Sequence, residues 1–256
     1  MHSEQNATPR ADERLDDLQT NGLRILQKPA CFCFGMDAVL LAHFTRLRPR
    51  DRIADLGTGT GILPILMSQT EPTACFEAFE WQPDMADMAQ RSVALNGLEH
   101  RITIHAEDLR NAPDRIGRGS VHGVVCNPPY GKQGGVILSQ TEEQLLARHE
   151  KDCTLADILR AGAAILRNQG RLWMSFPSAR MLELTDSLRE NRLEPKQIRM
   201  VCAKASKAPY LLLMEAVKNA KPMLTWLPPL IVYHEDSTET DELKAIYAGR
   251  LRPGQS

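Results

Sequence analysis

Hydrophobic positions along the chain switch between two periods, and the switches predict most of its elements. Continuous apolar runs at 53–56, 74–79, 102–105, 121–126 and 170–176 read as strands buried on both faces. Between them, apolar residues recur three and four apart at 62–69, 83–95, 154–166 and 178–191, the spacing of helices that bury one face. An earlier helix begins at Ala38 and runs to Phe44, with Asp37 at its N-cap or first turn. Strands alternating with helices predict an α/β chain with a mostly parallel sheet. The runs at 196–204 and 210–217 have no helix between them, so this last hairpin should supply an antiparallel strand and complete seven. An edge strand at 226–233 and a terminal helix at 240–248 follow. Residues 1 to about 20 are polar and are expected to be loose, with small strands or turns over 16–34. The expected organisation is a polar segment, 1–30, followed by one domain, 31–256.

Two junctions carry chemistry. The first strand runs into Gly57-Thr58-Gly59-Thr60-Gly61 and then a helix. A Cβ at Gly57 or Gly59 would block a ligand from touching backbone there. Asp55 lies just upstream, and Glu80 ends the next strand 21 residues after Gly59, the offset at which an acid meets the ribose hydroxyls of a nucleoside. The turn lacks the GK[ST] ending of a phosphate loop and reads D-x-G-x-G-x-G rather than G-x-G-x-x-G, so a dinucleotide fold is disfavoured as well. The helix at Asp37 could cap itself or turn its free amides toward a ligand carboxylate; the two are compatible.

The second junction is Asn127-Pro128-Pro129-Tyr130, which follows the apolar run Val121–Cys126. Two prolines forbid further ladder pairing, so Asn127 sits at the carboxyl end of a strand, the edge where open α/β sheets bind ligands. A conjugated exocyclic nitrogen is a poor nucleophile and needs acceptors for its hydrogens while it is held in line with an electrophile. The Asn127 side-chain carbonyl and the Pro128 main-chain carbonyl can be those acceptors. Pro128 is stiffened by the proline after it, and Tyr130 offers a stacking face worth about 1–3 kcal/mol. The glycine-rich 131–135, with Lys132, could gate the target.

Composition narrows the partners. With 31 basic and 32 acidic side chains in 256 residues, any nucleic-acid surface must be local. One stretch qualifies: between 192 and 221, Arg192, Lys196, Arg199, Lys204, Lys207, Lys218 and Lys221 stand against Glu194 and Glu215. Lys204 and Lys207 flank a turn near the carboxyl edge, a place to meet phosphates. Six cysteines without a CxxC pair read as reduced core residues of a cytoplasmic protein. His149-Glu150 lacks the second His of a zinc site, so no metal is expected. No apolar run has the roughly 18 residues of a membrane span. Neither a membrane nor an obligate protein partner is indicated.

The glycine turn resembles motif I of Rossmann-like class I S-adenosylmethionine-dependent methyltransferases, and Asn127 to Tyr130 resembles the Asp/Asn/Ser-Pro-Pro-aromatic motif of those acting on exocyclic or amide nitrogen. Together with Phe34-Gly35-Met36-Asp37, Leu227-Pro228-Pro229-Leu230 and Val232-Tyr233, these segments look like the bacterial tRNA(Val) adenine-37 N6-methyltransferase family. The resemblance implies S-adenosylmethionine as cofactor and tRNA as substrate. It puts the cofactor against Asp37, Asp55, Gly57, Thr58, Gly59, Gly61 and Asn127, its ribose on Glu80, its adenine beside Trp81, and the adenine amino group at Asp108 with Leu109 alongside. Asn127, Pro128 and Tyr130 would be catalytic, and Tyr130, Lys132, Lys204 and Lys207 would hold the RNA. The tetrapeptide alone leaves protein glutamine, DNA and ribosomal RNA targets open. A non-enzymatic RNA chaperone is the alternative of another class.

Overall fold

The carboxyl ends of parallel strands build the working edge of this molecule, and the strand order decides which loops meet there. The computed structural model describes residues 8–29, 35–128 and 153–249. The readings placed on Cys31, Cys33, Phe34, Pro129, Tyr130, Lys132, the 131–135 loop and His149-Glu150 lie outside the described residues.

A hairpin of β1 (Arg14–Asp17) and β2 (Arg24–Gln27) comes first, then α1 (Met36–Phe44). The alternating portion follows as β3 (Arg52–Leu56), α2 (Ile62–Thr70), β4 (Cys75–Phe79), α3 (Pro83–Leu95), β5 (Ile102–His105), α4 (Ala112–Ile116) and β6 (Val121–Cys126). After the undescribed stretch come α5 (Leu155–Ile165), β7 (Leu166–Pro177), α6 (Met181–Glu190), β8 (Leu193–Cys202) and β9 (Pro209–Lys218). Two-residue strands β10 (Thr225–Trp226) and β11 (Leu230–Ile231) and helix α7 (Asp241–Tyr247) end the described chain.

The expected seven strands lie in the order β8-β9-β7-β6-β3-β4-β5, with β9 antiparallel to both neighbours. β10 and β11 extend the sheet to nine by pairing in parallel along β8. Both faces are covered. Ile53, Phe76, Val125 and Trp173 pack with apolar residues of α1, α2 and α7 on one side. Leu56, Phe79, Val124 and Met174 pack with α5 and α6 on the other. Burial on two sides is why these strands read as unbroken apolar runs.

Residues 14–20 are not loose. Glu13 pairs with the nearly buried Arg91 of α3 at 2.5 Å, Leu26 N–H donates to Ser92 Oγ at 3.0 Å, and Leu18, Leu23 and Ile25 join the core. Polar composition hid the segment because what holds it lies some 70 residues away. Not every cysteine is a core residue either: all four described cysteines are free, but Cys75 is exposed at the start of β4 and Cys153 is half-buried.

Candidate active site

Strand order reverses on either side of β3: β4 and β5 lie to one side and β6 and β7 to the other. The crevice at such a switch point is where an open α/β sheet receives a ligand. Ala54 pairs with Val124 and Asp55 with Val125, so the chain leaves β3 into the glycine turn beside the point where it leaves β6 into Asn127. The Cys126 thiol donates to Leu56 O at 2.9 Å and ties the two exits together. A cavity of about 460 Å³ opens there, lined by Gly57, Thr58 and Gly59, by Glu80, Trp81 and Leu109, and by Asn127 and Pro128.

The glycine turn is shaped for a ligand. Gly57 and Gly59 have φ of +84° and +58°, and a Cβ on Gly57 would project into open space. Gly61 differs: it caps α2 at φ +87°, and a Cβ there would touch Ala89 of α3 at 3.5 Å, so it serves helix packing and does not line the cavity. Glu80 holds the turn from the next strand. Its carboxylate accepts from Gly59 N–H at 2.9 Å and from Gln82 N–H at 3.0 Å, while burial pushes its pKa up.

Beneath the turn, Asp55 is fully buried, and neither its carboxylate oxygens nor the Thr58 hydroxyl make a hydrogen bond of standard geometry among the described residues. Burial pushes the Asp55 carboxyl up to about 7; the nearby Thr58 hydroxyl pulls against that shift and the Glu80 charge adds to it. Buried acceptors without a well-formed partner, beside a glycine cradle that faces the Glu80 carboxylate, fit a nucleoside with an amino-bearing tail, as S-adenosylmethionine is.

Trp81 is half exposed on the cavity wall rather than sealed in the core. Asp108 is not brought in. It caps the short helical turn 109–111, and its carboxylate is taken by Arg110, which holds its pKa below the usual range. Leu109 alone represents that loop in the wall. Asp37 sits in the first turn of α1 and does not line the cavity, and Asp55 lies behind the lining. Lys204 and Lys207 stand in the turn between β8 and β9, at the same sheet edge but outside the cavity.

The far wall was not anticipated. The Arg180 guanidinium lies 5.1 Å from the Phe176 ring centroid and pairs with Glu183 at 2.7 Å, and all three line the cavity with Thr154 and Leu155. Ser175 donates its hydroxyl to Asn127 Oδ1. A lone polar residue in the run Leu172-Trp173-Met174-Ser175-Phe176 was the available signal.

The sequence profile of the methyltransferase small domain family matches residues 22–193. A tRNA1(Val) (adenine(37)-N6)-methyltransferase from Parabacteroides distasonis is 30% identical over 208 residues, which cover 80% of this chain and 86% of that protein. Among solved structures, "a predicted O-methyltransferase" from Agrobacterium tumefaciens superposes with a TM-score of 0.70 at 23% identity, over 85% of this chain and 98% of the other. M. jannaschii TYW2 in complex with AdoMet gives 0.55 at 13% identity, over 82% and 87%. These two likenesses are of fold.

Proposed function

Because the chain belongs to the methyltransferase small domain family and to that of the tRNA1(Val) (adenine(37)-N6)-methyltransferases, we propose that it methylates N6 of an adenine in tRNA, at position 37 of tRNA1(Val). The fold is the Rossmann-like class I methyltransferase fold, and the cofactor is S-adenosylmethionine. One observation carries the reading: the glycine cradle with its acidic clamp and the Asn127-Pro128 acceptors open into a single cavity at the switch point.

S-adenosylmethionine supplies, when bound, an electrophilic methyl group on a sulfonium. Gly57 and Gly59 admit a ligand against backbone, Glu80 takes ribose hydroxyls, and Trp81 lies beside a planar ring. The target adenine must leave its stack for N6 to reach the cavity. Asn127 Oδ1 and the Pro128 carbonyl accept the two N6 hydrogens and orient the nitrogen lone pair toward the methyl. Tyr130 stacks on the base, and Lys132, Lys204 and Lys207 hold phosphates. No strong base is needed, since the proton leaves to water after transfer. No helix among the described residues is long and apolar enough to cross a membrane, and we place the reaction in the cytoplasm.

Incubation of the purified protein with labelled cofactor and, separately, total tRNA, ribosomal RNA, DNA and release factor tests this. Label recovered from tRNA as N6-methyladenosine is the expected result. Label found as N-methylglutamine, or only in DNA, overturns it. Asn127→Ala should lower kcat roughly 100-fold while cofactor binding persists. Unaltered turnover in that variant would remove Asn127 from the chemistry.

A further inference from the structure

We propose that Ser175 is a positioning residue for methyl transfer, its hydroxyl fixing the Asn127 side-chain amide so that the oxygen presents a lone pair to the target nitrogen. The inference rests on the function proposed above, in which Asn127 accepts an N6 hydrogen.

Cys126 of β6 is in register with Met174 of β7, the last pair of that ladder, and Asn127 and Ser175 are the next residue on each chain. Paired residues of parallel strands emerge on the same face, which brings the hydroxyl to the amide without distortion of either backbone. Ser175 is fully buried, as are Trp173, Met174 and Phe176 around it. A hydroxyl in such a run costs stability unless it is hydrogen-bonded, and packing alone would be served by Ala or Val. Its donation to Asn127 Oδ1 meets that need at the one side chain in the cavity whose orientation the reaction depends on.

That orientation is not set by Asn127 itself. The terminal torsion of an Asn side chain is broad and roughly two-fold, so an untethered amide turns either its oxygen or its nitrogen toward the cavity. With nitrogen inward, the amide N–H groups face the N6 hydrogens, donor against donor, and the acceptor is lost. An amide oxygen has two lone pairs. One takes the Ser175 hydroxyl and defines the plane, and the second stays available to N6–H. The Pro128 carbonyl needs no such clamp, being part of a backbone stiffened by the following proline.

Ser175→Ala deletes the hydroxyl and adds no bulk. With total tRNA as substrate, kcat should fall about tenfold to a hundredfold, with cofactor affinity and Tm nearly those of the wild type. In an Asn127→Ala background the same substitution should change kcat less than about twofold, because its partner is gone. Ser175→Thr, which keeps a hydroxyl, should recover most of the rate. Equal losses in both backgrounds, a loss that tracks Tm or cofactor affinity, or no loss at all would overturn the proposal. The Asn127 side-chain NH2 signals, identified by their absence in Asn127→Ala, give a readout that needs no substrate. They should shift on Ser175→Ala, and unshifted signals would remove the clamp. Wild-type protein that methylates no RNA would instead overturn the substrate reading, with the clamp still judged by those signals.

Discussion

Asp55, next to last in the first parallel strand, has a carboxyl group that is fully buried and makes no hydrogen bond of standard geometry among the described residues, an arrangement that costs stability whenever the group is ionised. Burial raises its pKa from an ordinary 3.8 to about 7. The folded protein therefore holds this proton more tightly than the unfolded chain. The resulting stabilisation is full below the unfolded pKa and is lost as pH rises through the folded one. Without ligand, Tm should fall between about pH 4 and pH 7, by up to about 1.4 kcal/mol of stability per pH unit. Asp55→Asn should flatten most of that slope in a thermal melt series and leave a remainder of the same sign from Glu80, whose pKa is also raised by burial. A cationic ligand amino group set against Asp55 would favour the charged carboxylate, so on that placement saturating S-adenosylmethionine should suppress the slope in the wild type. A melt series that is flat without ligand would remove Asp55 from this role. The site's two named ends were legible at this scale: a Gly-rich turn after a strand and an Asn before two prolines are local signals. Phe176 and Arg180 were not, and Ser175 showed only as a lone polar residue in an apolar run, because what brings them to the Asn127 side of the site is the pairing of β6 with β7, which no local signal encodes.

Strand β6 delivers Asn127, and its own placement depends on a residue that has no side chain. A Cβ on Gly123 would lie 2.5 Å from Trp173 and 2.8 Å from Ile53, on the strands to either side. Trp173 cannot retreat easily, since its indole N–H donates to Glu215 at 2.9 Å and Glu215 also pairs with Arg171 at 3.0 Å. Gly→Ala in an unstrained strand often stabilises by reducing the freedom of the unfolded chain. Here overpacking decides the sign, and Gly123→Ala should cost on the order of 2 kcal/mol, read as a lower urea midpoint at unchanged m-value. A midpoint equal to that of the wild type would show that the three strands can spread. Elements with local end signals matched the sequence reading to the residue: α3 starts at Pro83, and β6 stops before Pro128. The β1–β2 hairpin did not, because Arg91, Ser92 and Asn96 of the α3 region supply its partners. β8 begins at Leu193, three residues earlier than expected, since β9 pairs as far as Lys218.

A chain with a net charge of −1 has no general attraction for RNA, so whatever holds a tRNA must be concentrated where the cavity opens. Of the basic residues between 192 and 221, Arg199 is neutralised by Glu242 at 2.5 Å, and Lys218 turns inward to Ala163 O and Leu166 O. Lys204 donates to Glu235 O and Ser237 Oγ and its charge also acts on the Asp236 carboxylate, whereas Lys207 is exposed. Both occupy the turn between β8 and β9, whose far end is tied to the end of β7 by the Ser178 hydroxyl donating to Pro209 O at 2.5 Å. Two strand spacings, roughly 10 Å, therefore separate the start of β9 from the β6 exit that carries Asn127. A phosphate held at this turn lies within a nucleotide or two of a base extruded into the cavity. Each phosphate contact adds slightly less than one to the slope of log affinity against log salt, so Lys204→Ala with Lys207→Ala should lower that slope by about 1 to 2. The tRNA KM should rise with cofactor affinity unchanged. Lys207→Ala alone separates charge from structure, because Lys204 also braces the 234–238 turn while Lys207 braces nothing among the described residues. An unaltered salt slope in the double variant would move the RNA contact away from this turn, whereas a slope change in the single variant would fix it at Lys207.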